Sequence, residues 1–297
     1  MPLFASILPA VRRLLLGVGL AASGWAEEVP AAPAEDFQAE RDVVYAVTDG
    51  TALHLNLFVP RHGPGPFPLI IWFHGGGWRN GGYGSCPPLH WGRTDYAFAS
   101  VEYRLSGVAK FPAQIIDSKA AVRWLRANAA KYRLDGDRIG VWGGSAGGHL
   151  VALLGTSGAT RRFDAGDNLT TSSAVQAVCD FYGPTDLLAW GKTTGFEPTV
   201  LKEFLGGQIL DVPEKVVAAS PLTYIGPGMP PFLIVHGAED RTVPPAQGEL
   251  LRTALLRVKG EAELHIVPGA GHGGDKFRSP EIDGLVQAFF DRHLKKP

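Results

Sequence analysis

The chain has 297 residues, 28 basic and 29 acidic, for a formal charge of −1. With no excess of cations it lacks the electrostatic footprint that binds nucleic acid or an anionic membrane surface. A hydrophobic share of 45% at this length excludes a disordered or fibrous chain and supports one sizeable core.

At the amino end, Arg12 and Arg13 precede an apolar run over residues 14–22, followed by Gly24-Trp25-Ala26 and the acidic pair Glu27-Glu28. The pattern reads as a signal peptide over residues 1–26, cleaved after Ala26. The apolar run is far shorter than the ~20 residues that span a bilayer. A secreted or periplasmic protein without a stable membrane anchor is therefore expected. The Pro- and Ala-rich stretch that follows reads as a linker over residues 27–40, and one folded domain is expected over 41–297.

Residues 43–48 and 52–59 are β-rich segments around Asp49-Gly50, a strong hairpin signal. Beyond Pro68 the pattern becomes short, nearly continuous apolar runs separated by helical stretches, as buried parallel strands and their crossovers require. Strands are predicted at 69–73, 96–102, 138–142, 175–181, 232–236 and 264–267. Amphipathic helices are predicted at 112–131, 245–259 and 280–294. The fold class is α/β: a mostly parallel central sheet with an antiparallel amino-terminal hairpin and helices on both faces. Residues 184–221 break the pattern and read as a small lid-like insertion over the carboxyl ends of the strands.

The sharpest chemical signal is Gly143-Gly144-Ser145-Ala146-Gly147-Gly148, directly after an apolar strand and before a helix-like segment. G-x-S-x-G in that context is a nucleophile elbow, a strained turn that lifts the serine hydroxyl clear of its neighbours. A hydroxyl is a poor nucleophile at neutral pH, so Ser145 needs a base held by a carboxylate. Asp240 follows the strand at 232–236 in His236-Gly237-Ala238-Glu239-Asp240. His272 follows the strand at 264–267 in Gly269-Ala270-Gly271-His272-Gly273. The order Ser, Asp, His is the one this architecture uses. His74, His149 and His236 are rival bases, and Glu239 is the nearest rival acid; His149 and His236 read as packing or loop-bonding residues.

A tetrahedral intermediate also needs rigid N–H donors near Ser145. His74-Gly75-Gly76-Gly77-Trp78 leaves the strand at 69–73 with three glycines, so Gly76 and Gly77 are candidate oxyanion donors together with Ala146, the residue after the nucleophile. Trp78, Trp190 and Phe196 are candidate lining residues for an acyl or aromatic pocket, against the alternative that large aromatics pack in the core. Cys86 and Cys179 allow one disulfide in an oxidising compartment or two buried free thiols. No metal-ligand spacing and no phosphate-binding loop stands out, so no cofactor and no metal are expected.

These stretches, with Tyr103-Arg104-Leu105, Asp137-Arg138-Ile139 and Phe181-Tyr182-Gly183-Pro184, make the chain resemble the α/β-hydrolase superfamily over nearly its whole length beyond the leader. Within it the chain is similar to the bifunctional acetyl/feruloyl esterase and hormone-sensitive-lipase-like carboxylesterase groups. The resemblance implies a serine esterase with Ser145 as nucleophile, Asp240 and His272 as partners, and Gly76, Gly77 and Ala146 as oxyanion donors. Many hormone-sensitive-lipase-like members carry an acidic residue before the serine, where this chain has Gly144. That departure favours the acetyl and feruloyl side, and the segment before the first strand, too short for the helical cap that many hormone-sensitive-lipase-like enzymes build there, implies a comparatively open cleft suited to esters carried on a polymer. A general short-chain carboxylesterase and a peptidase or formamidase with the same three residues stand as alternatives. A silent binding protein has no chemical need for all three.

Overall fold

The computed structural model describes residues 35–158, 160–193 and 199–295. The predicted leader, most of the predicted linker and Phe196 lie outside the described residues.

Eight strands form one sheet in the order β1-β2-β4-β3-β5-β6-β7-β8. β1 (Phe37–Thr48) and β2 (Thr51–Pro60) are the expected antiparallel hairpin, turning at Asp49-Gly50, where both residues have positive φ. β2 also runs antiparallel to β4 (Ala97–Val101). From β4 onward, through β3 (Phe67–Phe73), β5 (Leu134–Gly144), β6 (Ala177–Phe181), β7 (Phe232–Gly237) and β8 (Ala262–Val267), all pairings are parallel.

Every residue of β3 is buried because both faces of the sheet are covered. The period of two divides its side chains between two cores. Leu69, Ile71 and Phe73 join the core that contains α1 (Ala113–Ala127), α2 (Ala146–Ser157) and α6 (Ala246–Arg257). Ile70 and Trp72 join the opposite core, closed by α7 (Pro280–Leu294) through Ile282, Val286, Phe289, Phe290 and Leu294. Ser279 caps α7 by accepting the Ile282 N–H, and Pro280 occupies the first turn, where no N–H is required. Cys86 and Cys179 sit in this second core as two buried free thiols.

Two boundaries differ from expectation. β1 starts at Phe37, inside the stretch read as linker, because Phe37 buries against Phe98 while Gln38, Glu40 and Arg41 face solvent or its edge. Residues 184–221 are not irregular throughout: they carry α3 (Leu187–Thr193), α4 (Thr199–Leu205) and α5 (Pro213–Ala219). Each is only about two turns long, too short for apolar periodicity to declare itself. The segment is pinned to the body where Thr185 donates to the Gln247 carbonyl oxygen and Trp190 donates to that of Thr242.

No helix among the described residues is long and apolar enough to cross a membrane.

Candidate active site

The site lies at the carboxyl ends of β3, β5, β7 and β8. Ser145 directly follows β5 and caps α2 with φ 58 and ψ −120, a conformation that L residues rarely adopt. Such a residue stores roughly 1–3 kcal/mol of strain, which the surroundings must hold. They do so through the Ser145 N–H, which donates to Phe181 at 2.8 Å, and the Ser145 carbonyl, which accepts from His149 at 2.9 Å. Close approach explains the flanking glycines. A Cβ on Gly147 would collide with the carbonyl oxygens of Phe73 and His74, and one on Gly143 would lie 2.5 Å from the Gly147 backbone.

The structure brings the three expected residues together. His272 Nε2 lies 2.8 Å from Ser145 Oγ, and His272 Nδ1 lies 2.7 Å from Asp240 Oδ2. With a carboxylate on the Nδ1 side, the Nδ1–H donates to Asp240, and Nε2 is left to accept the serine proton. The other carboxylate oxygen, Oδ1, accepts the N–H groups of Thr242 and Val243 at 2.9 Å each. Burial works to raise the Asp240 carboxyl, but hydrogen bonds from His236 and His272, the His272 charge and the Val243 N–H outweigh it and hold it at about 2. Asp240 is thus a fixed anion on a rigid turn. The alternative acid, Glu239, lies one residue earlier on that turn and is exposed.

Gly76 and Gly77 follow β3 with φ of 107 and 61. The loop is braced at both ends: Tyr103 donates to the His74 carbonyl at 2.8 Å and stacks on the His74 ring at 4.2 Å, while Ser106 N–H donates to Trp78. The Gly76 carbonyl accepts from Arg79 and Asn80, closing the turn. The loop packs on the elbow, since a Cβ on Gly75 would stand 3.5 Å from the Ser145 Cβ. Among the described residues, the N–H groups of Gly76, Gly77 and Ala146 have no protein acceptor. They are therefore open to donate to a bound group without breaking a bond within the protein.

The aromatic candidates fare differently. Trp78 is 1% exposed and Trp190 3%, and both belong to the core. Trp78 stacks on Phe204 at 4.2 Å and lies edge-on to His149. Each indole N–H is spent on the protein, Trp78 on His149 Nδ1 and Trp190 on the Thr242 carbonyl. They are corrected from lining residues to packing behind the oxyanion loop, because a ring this deeply buried presents no face to an open cleft. Val200 of α4 packs against the loop, with its Cγ1 3.2 Å from where a Gly77 Cβ would stand.

Two further residues stand near the site. Tyr182, with φ 44, sets its ring 4.9 Å from His272 and is itself packed on Phe277. Its place directly after β6 was the available signal. His149, read as packing, is the acceptor for Trp78 and donates through Nε2 to the Ala219 carbonyl at 2.7 Å. Among the described residues, no group of His, Cys, Asp and Glu could hold a metal ion.

Comparison with known proteins gives the family. The BD-FAE family model matches residues 55–255, which hold the elbow, the oxyanion loop and Asp240. The chain belongs to the BD-FAE family. It is 33% identical to Esterase LipC of Mycobacterium tuberculosis over 71% of this chain and 54% of LipC. The chain spans about half the length of the curated relatives it matches. Among solved structures, a truncated carbohydrate esterase from gut microbiota superposes with a TM-score of 0.79 at 28% identity, covering 90% of this chain and 99% of that one. Propionate-bound Est2 of Thermogutta terrifontis, a thermophilic esterase, gives 0.71 at 26%, covering 89% and 98%. The fold of this BD-FAE member is thus that of the α/β-hydrolases.

Proposed function

We propose that this chain is a serine carboxylic ester hydrolase that forms an acyl-enzyme on Ser145, acting on acetyl or feruloyl esters of plant polysaccharide or on similar short-chain esters. The observation that carries the reading is the unbroken line from Ser145 Oγ through the His272 ring to a buried Asp240 carboxylate, at 2.8 and 2.7 Å.

In this reading His272 Nε2 takes the Ser145 proton as Oγ attacks the ester carbonyl. The carbonyl oxygen becomes an anion facing the N–H groups of Gly76, Gly77 and Ala146, and the imidazolium is balanced by Asp240. Collapse breaks the bond to the alcohol, which leaves with the proton from His272. A water molecule then attacks the acyl-enzyme, giving its proton to Nε2; the second collapse frees the acid and returns that proton to Ser145. The atoms come from this chain, the ester and one water molecule, and no cofactor enters.

The carbohydrate side of the proposal rests on the likeness to a gut carbohydrate esterase, and a short acyl group on the likeness to an esterase solved with propionate. Export is part of the same proposal and rests on Arg12, Arg13 and the apolar run after them. The test is the ratio of kcat/KM for methyl ferulate to that for p-nitrophenyl acetate, with Ser145→Ala as blank. Ferulate release supports a cinnamoyl-sized pocket beside Ser145. Acetate release alone narrows the proposal to short acyl groups, and hydrolysis of neither refutes it.

A further inference from the structure

His236 is a buried imidazole that the three-residue mechanism does not use. It lies four residues before Asp240, at the end of β7, and its side chain is fully shielded from solvent. Nε2 stands 2.8 Å from the Val243 carbonyl oxygen. A carbonyl only accepts, so that nitrogen carries a hydrogen and donates. The same Nε2 is 3.5 Å from Asp240 Oδ2, the oxygen that receives the His272 N–H. One N–H thus reaches both the carbonyl that ends the Asp240 turn and the carboxylate oxygen facing His272.

The turn itself explains why an anchor matters. Asp240 Oδ1 is fixed by the N–H groups of Thr242 and Val243, both on its own turn. Those bonds orient the carboxylate relative to the turn but not relative to the sheet. His236 joins the two, because its backbone is in β7 and its donor meets the turn at Val243 and Asp240. On the far side of the ring Nδ1 is buried without a hydrogen-bond partner. Asp180 lies one strand over: it pairs with Ile234, so its side chain shares a sheet face with Ile234 and His236. One Asp180 oxygen accepts the Gly183 N–H and the other is likewise unpartnered. The hydrogen on Nε2 is therefore set by the Val243 carbonyl, and Nδ1 lies beside Gly248 of α6.

We propose that His236 is a positioning residue for the reaction: its Nε2–H ties the Asp240 turn to β7 and shares the carboxylate oxygen that holds His272. The proposal rests on the esterase reading above. It separates a donor role from a packing role, since the two rank substitutions differently. Gln at 236 places an amide N–H close to the Nε2 position, whereas Phe keeps the ring's shape and loses the donor.

The experiment compares His236→Gln, His236→Phe and Ser145→Ala on p-nitrophenyl acetate, each checked for native folding by circular dichroism, with His236→Asn replacing Phe if the latter does not fold. Loss of a hydrogen bond to a charged group predicts a fall in kcat of about ten- to a hundredfold for Phe with KM little changed, and about threefold or less for Gln. In an Asp240→Asn background the Phe substitution should cost about twofold or less, because it acts through the carboxylate that is already lost. Phe as active as wild type, Gln as impaired as Phe, or an undiminished Phe effect in the Asp240→Asn background overturns the proposal. Activity surviving in Ser145→Ala would instead overturn the esterase reading, so the two failures are distinguishable.

Discussion

The neutral state of His149 makes a quantitative prediction about acid stability. Its Nε2–H donates to Ala219 and its Nδ1 accepts from Trp78, so both nitrogens are committed and a second proton would face the indole N–H. Burial lowers this imidazole from 6.5 to about 4, with the Ala219 bond only partly opposing. Because the folded value is below the unfolded one, the unfolded chain binds more protons between about pH 4 and 6.5. Stability therefore falls as pH drops through that window. At about pH 5 the difference is worth about 2 kcal/mol for His149 alone. His74, lowered to about 4 chiefly by burial, adds a similar amount, while Asp180, raised to about 6 by burial, works in the opposite direction. Urea unfolding followed by tryptophan fluorescence at about pH 7.5 and about pH 5 measures the loss, and His149→Gln isolates one contribution. The variant should lose about 2 kcal/mol less than wild type on acidification. An identical loss in both proteins would refute the assignment of His149 as a buried neutral link between the nucleophile helix and the oxyanion loop.

Other outcomes follow from the same geometry. Gly147→Ala drives a Cβ into the Phe73 and His74 backbone, so a loss of roughly 1–3 kcal/mol or more is expected in thermal unfolding, with activity lost alongside; wild-type stability would contradict the close packing. Asp240→Asn should lower kcat by about 10⁴ in steady-state assays, since it removes the charge that balances His272, and a tenfold effect or less would shift the role to another acid. Cys86 and Cys179 should be silent to Ellman's reagent in the native protein and both react after denaturation without reductant; no thiols on denaturation would show a bridge instead.

Much of the sheet could be read from the sequence because a strand buried on both faces must be almost wholly apolar, as β3 is, and as β4 and β7 are apart from Ser100 and His236. β1 was partly hidden for the opposite reason: its outer residues are polar and Asp42 interrupts its pairing with a positive φ. The strand order could not be read at all, since it depends on which crossovers pack on which face. Ser145, Asp240 and His272 were legible because each sits on a turn after a recognisable strand, so chain order predicts their meeting. The burial of Trp78 and Trp190 was not, because exposure of an aromatic depends on partners such as Phe204 and His149 that are distant in sequence. His236 lay inside the segment that revealed Asp240, but its bond to Val243 exists only once the turn closes.

The central claim is that Ser145 is the nucleophile of an acyl-transfer site. Diethyl p-nitrophenyl phosphate, which traps an activated serine, tests it most directly. The account predicts one equivalent of p-nitrophenol per chain, a diethylphosphoryl adduct on the peptide containing Ser145, parallel loss of p-nitrophenyl acetate hydrolysis, and none of these in Ser145→Ala. An adduct on another residue, or hydrolysis that persists in Ser145→Ala, would contradict it.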